Sequence, residues 1–157
     1  MPRILTPPRT CADRSGTPPH PSPRHHQCDL AADELAPSRL RAWIGALLAD
    51  WQLPQLVDDL ALIATELATN AVRHGGTPAR ATLAMSAPDA GPRVVRLEIQ
   101  DSGPGFDPRT CAPTAESSAT AESCSGRGLL LVAALSSAWG ALHTGAGQLV
   151  WAELTAR

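Results

Sequence analysis

Chemistry in this chain is concentrated in three short stretches. The first, "ELATNAVRHGG" (66–76), sets Glu66 and Asn70 four residues apart, the spacing that puts two side chains on one helical face. An amide oxygen is a hard ligand that suits Mg²⁺, a cation that keeps several waters and also binds substrate phosphates. A carboxylate one turn away could then act as general base on an attacking hydroxyl or water. Alone, the pair would equally suit a wetted helix face. Arg73 and His74 follow, and His74 is expected to cap the helix end.

The second stretch is "RVVRLEIQDSGPG" (93–105). Val95, Leu97 and Ile99 share one face of a strand, and the same parity sends Asp101 inward with them. A carboxylate there is costly unless something donates to it, and Gly103 and Gly105 bring bare backbone alongside. A planar ligand with an exocyclic amine would meet that need, although an Asp-Ser-Gly turn can also simply end a strand. The third stretch, "SGRGL" (125–129), offers Gly126, Arg127, Gly128 and Leu129 at a helix start. Free N–H groups and the helix dipole favour anions at such a place, and a flexible loop entering a helix would read the same way. No Ser/His/Asp or Cys/His nucleophile arrangement occurs, and no "GxxxxGK[ST]" phosphate loop.

These residues need a scaffold, and the apolar periodicity supplies one. Leu40, Trp43, Ile44, Leu47 and Leu48 within 33–51 predict a first helix. Pro54 suits the start of a second, which runs to about His74 and stops at Gly75-Gly76. A strand is expected near Cys28–Ala31, and alternating strands at 79–85 and 93–101 are joined by the turn-rich "SAPDAGP". Residues 126–137 read as a third helix, and 139–144 with 148–154 as a closing hairpin. The fold class that follows is α+β: a two-layer α/β sandwich with a mixed, mostly antiparallel sheet and helices on one face.

Composition narrows the rest. A length of 157 residues suits one domain. A net charge of −2 argues against a nucleic-acid partner, which calls for a basic excess. No apolar run approaches the roughly 18 residues that span a bilayer, so no membrane partner and a cytoplasmic location are expected. Residues 1–25 hold seven prolines and no periodicity; they read as a disordered leader, or as lying upstream of the true start, before a domain at 26–157. The four cysteines have no paired spacing, so reduced, incidental thiols are expected rather than a disulfide framework or a zinc site around "HHQC".

The order of the three stretches, with a long small-residue loop before the last, resembles the GHKL ATPase superfamily and its Bergerat ATP-binding fold. "ELATNAVRHGG", "DSGPG" and "GRGL" match its N, G1 and G2 boxes over roughly residues 28–155. The resemblance implies ATP and Mg²⁺ as cofactors, Glu66 as base and Asn70 as metal ligand. It implies that Asp101 accepts the adenine amino group and that Gly103 and Gly105 lie against the nucleotide. Gly126, Arg127, Gly128 and Leu129 would face the phosphates, and residues 106–125 would be the ATP lid. Where the superfamily commonly has a Gly-Thr pair entering the last strand, this chain has Gly147-Gln148. "GRGLLLVAALSSAWG" and the terminal "VWAEL" look most like the anti-sigma-factor serine kinase branch. That branch implies a sigma factor and a small STAS-type anti-anti-sigma protein as partners, the latter phosphorylated on serine, with a homodimer left open. A non-catalytic nucleotide-sensing module and a detached histidine-kinase catalytic domain are the alternatives.

Overall fold

The computed structural model describes residues 24–75, 78–88, 91–104 and 127–156. The leader up to residue 23, the lid expected at 106–125, and Gly76, Gly105 and Gly126 fall outside the described residues.

Five strands form one sheet in the order β1-β2-β3-β5-β4, from Arg24–Leu30 (β1), Ala79–Ser86 (β2), Arg93–Asp101 (β3), Ala138–Thr144 (β4) and Gly147–Ala156 (β5). Among the described residues every pairing is antiparallel. β2–β3 and β4–β5 are consecutive hairpins, whereas β1 reaches β2 through α1 and α2. The first strand begins at Arg24, earlier than the stretch near Cys28–Ala31 suggests. As an edge strand it leaves Arg24, His25, His26 and Gln27 exposed, so it carries little of the apolar alternation by which strands are recognised.

Alternation holds well in the interior. Ala81, Leu83 and Met85 of β2, Val95, Leu97 and Ile99 of β3, and Val150, Ala152 and Leu154 of β5 are all buried on one face. Helices cover that face: Ala36–Asp50 (α1), Val57–Asn70 (α2) and Gly128–Leu135 (α3). The i, i+4 spacing of Leu40, Ile44 and Leu48 on α1, and the i, i+3, i+4, i+7 spacing of Leu60, Ile63, Ala64 and Leu67 on α2, give each helix an apolar stripe. Together with the inward strand residues they form one core, the two-layer α+β sandwich. Pro54 opens a 3₁₀ turn, Pro54–Leu56, that leads directly into α2.

The opposite face of the sheet is polar at its centre. Arg96 is held by Glu98 (2.6 Å) and Glu153 (2.8 Å) and lies 4.0 Å over the Trp151 ring. Partial burial opposes its charge, but the bonds from Glu153 and Glu98 raise the guanidinium above its ordinary range. No helix among the described residues is long and apolar enough to cross a membrane.

Candidate active site

The site begins where α2 ends. Leu60, Ile63, Ala64 and Leu67 anchor that helix in the core, which fixes the direction of Glu66 and Asn70 on a neighbouring strip of its surface. Instead of stopping, the helix widens into a π turn, Ala71–Gly75. Such turns are rare and cluster at functional sites. This one keeps Ala71 and His74 alongside Asn70 on the wall of a cleft. His74, expected to cap the helix, is a wall residue of that cleft, with an interaction of its own.

The cleft opens between this helix end and the adjacent ends of β3 and β5. Leu67, Ala71, Ile99 and Val150 give it apolar walls, and Asn70, His74, Asp101 and Gln148 supply its polar groups. Among the described residues the buried polar side chains are Asn70 at 9% exposure, Asp101 at 8% and Gln148 at 3%. All three line this one cleft. Buried polar groups without a role are costly, so their convergence marks the site.

Asp101 points inward, as its parity with Val95, Leu97 and Ile99 requires. Its Oδ1 accepts the Gly103 N–H at 2.7 Å, which closes the Asp-Ser-Gly turn. A carboxylate has about four lone-pair sites, so the Gly103 bond alone does not fill it. Gly103 is itself buried beside it. The Asn70 amide is enclosed, and its Nδ2 has no hydrogen-bond partner among the described residues. An orphaned buried amide is a group waiting for a ligand, and rotation about its last torsion exchanges Nδ2 and Oδ1. The amide therefore fits a hard cation or a phosphate-bound water. Among the described residues no three His, Cys, Asp or Glu side chains gather into a metal set, so such a cation would keep most of its ligands as water or phosphate oxygen.

Gln148 is the residue that motif reading passes over. It stands directly opposite Asp101 in the β3–β5 register. Parity with Val150, Ala152 and Leu154 would have sent it inward, by the same reasoning that found Asp101. Gly147, just before it, has φ of +136°, a backbone that L side chains rarely adopt. A Cβ there would overlap the Asp101 carbonyl oxygen and lie 2.6 Å from Ser102 Cα. The start of β5 is thus pressed onto the Asp101–Ser102 backbone.

Glu66 is not among the residues lining this cleft; it lies against the first turn of α3, where its carboxylate touches Gly128. Arg127 is exposed just before that turn, and Gly128 is buried. Leu129 is 2% exposed and belongs to the core, so what it can offer a ligand is its backbone. The structure brings Asn70 and Asp101 together on one cleft, with Gly103 bonded to Asp101, and sets Glu66 against Gly128, which Arg127 precedes.

The model of the histidine kinase-like ATPase domain family matches residues 30–154, which takes in every one of these side chains. Comparison with curated proteins gives no match.

Proposed function

Since the chain belongs to the histidine kinase-like ATPase domain family, we propose that it is a protein-serine kinase of the anti-sigma-factor type. It would use Mg-ATP to phosphorylate a serine on a small STAS-type anti-anti-sigma partner, and so set how much sigma factor is free. The observation that carries this reading is the division of labour between the end of α2 and the adjacent end of β3. Asn70 and Asp101 offer enclosed polar groups to a nucleotide, and Glu66 stands one turn back with its carboxylate at the start of α3.

In that reading Asp101 accepts the exocyclic amine of the base, and Gln148 beside it supplies an amide to the same ring edge. The apolar walls, Ile99 and Val150 among them, exclude water from its faces. Asn70 would hold the metal ion. When bound, Mg²⁺ offsets charge that develops on the phosphates. Glu66 takes the proton of the attacking seryl hydroxyl as its oxygen bonds to the γ-phosphorus and the bond to ADP breaks. Phosphoryl transfer of this kind is governed by positioning and charge stabilisation, so one base and one ligand side chain suffice.

The test is a titration with Mg-ATP, followed by incubation with STAS-type partners and mass spectrometry for phosphoserine. Glu66→Ala is expected to abolish transfer while leaving nucleotide affinity within about threefold, since a base acts on the chemical step. Asn70→Ala should weaken both. No binding at millimolar Mg-ATP would overturn the reading. Binding without phosphoserine would move it to a nucleotide-sensing switch, and phosphate on a partner histidine to a histidine-kinase catalytic domain.

A further inference from the structure

Gly128 is the first residue of α3, and nothing about its backbone calls for glycine. Its φ lies outside the left-handed region, whereas that of Gly147 lies within it. Alanine is the better helix former at such a position. What glycine provides here is space. A Cβ built on Gly128 would overlap Glu66 Oε2, lie 3.1 Å from Glu66 Cδ and 3.5 Å from Glu66 Cβ. Outside its own helix backbone and chain neighbours, the three nearest atoms to that point all belong to Glu66. The volume of the missing methyl group is the seat of the carboxylate.

We propose that Gly128 is a positioning residue for Glu66: its bare Cα lets the carboxylate lie against the first turn of α3, and any side chain there turns the carboxylate out. This rests on Glu66 being the base. It also gives the "GRGL" turn a second task. Glu66 is anchored by a core helix, with Leu67 buried next to it. The side chain can therefore yield only by changing rotamer, and not by moving its backbone.

The test compares Gly128→Ala in two backgrounds. In the wild-type background it should lower the transfer kcat by at least about tenfold, within the range of a displaced general base. The KM for ATP and the melting temperature should barely move. Glu66→Asp, one methylene shorter, draws the carboxylate back from Gly128 and makes room for the methyl. In that background Gly128→Ala should cost less than about threefold, the non-additivity expected of touching residues. An equal loss in both backgrounds, or full activity of Gly128→Ala alone, would overturn the proposal. A crystal structure of nucleotide-free Gly128→Ala decides the geometry without any turnover. Glu66 should occupy a different rotamer, and an unmoved carboxylate would sink the idea. Absence of wild-type transfer would count against the kinase reading, and this structural comparison would still decide on the seat.

Discussion

At the scale of single residues, the site is a set of exceptions to apolar burial, and that is why parity finds it. Asp101 breaks the run Val95, Leu97, Ile99, and Gln148 breaks the run Val150, Ala152, Leu154. The first was legible because "DSGPG" draws the eye to it. The second was equally legible by the same alternation, but a glutamine next to a hairpin glycine reads as part of the turn. Glu66 and Asn70 were legible by helical spacing. Their separate surroundings were not, because those depend on where α3 packs. Asp101→Asn keeps the size and the acceptor for Gly103 but removes the charge, and it should weaken ATP binding about tenfold, as expected for a charge-assisted bond. Gln148→Leu should weaken binding less, by roughly fivefold, and leave stability unchanged or raised, because an apolar side chain costs nothing to bury there. Isothermal titration with ATP and a thermal melt of each variant check both. A Gln148→Leu protein that binds ATP as the parent does would remove Gln148 from the site.

At the scale of elements, two devices hold the ends in place. Gly147 presses β5 onto the end of β3, so Gly147→Ala should strain the very backbone that carries Asp101. A loss of about 1–3 kcal/mol is expected from forcing an alanine into that conformation and contact. Denaturant unfolding would show it, with a fall in ATP affinity alongside. Away from the site, Asp33 lies just ahead of α1. Its carboxylate accepts from Arg39 at 2.9 Å and from the Leu35 N–H at 2.9 Å, and the Arg39 bond first, then the Leu35 N–H, hold it below the usual carboxylate range. A lowered folded-state pKa means the unfolded chain binds protons first as pH falls. The contribution is therefore present above the ordinary carboxylate value and lost as pH drops through the lowered one. The melting temperature of Asp33→Asn should trail the parent at pH 7, and the gap should close in strongly acidic buffer. A gap that persists at low pH would show that the charge is not its source. The helices and inner strands were legible because their stripes are long and regular. The start of β1 was not, since an edge strand need bury only one face weakly, as Leu30 and half-buried Cys28 do. Nor was the π turn, whose single added residue leaves no mark on apolar spacing.

At the scale of the molecule, the sandwich follows from pattern, but the strand order does not. Both hairpins, β2–β3 and β4–β5, are announced by their turns. That β5 and not β4 lies next to β3 depends on which strand can be covered on both sides. β5 brings ten residues with Val150, Ala152, Leu154 and Ala156 inward and Trp151 and Glu153 serving the Arg96 cluster outward. β4 carries His143 and exposed Leu142 and is left at the edge. The swap brings Gln148 opposite Asp101, and with the other order there would be no such pair.

That strand order bears on the continuity of the chain. The residues of the site come from two lengths of sequence, 57–104 and 127–150, and the nine-residue β3–β5 register joins them from Arg93↔Ala156 to Asp101↔Gln148. All nine pairs of that register lie outside residues 105–126. A specific protease site introduced there and cut after folding should leave two fragments that elute together and melt as one unit. They would part only in denaturant. Fragments that separate in native buffer would show that the connection is needed to hold the sheet. If they stay together, the two halves of this protein could be supplied as separate polypeptides, with assembly itself becoming the condition for a working site.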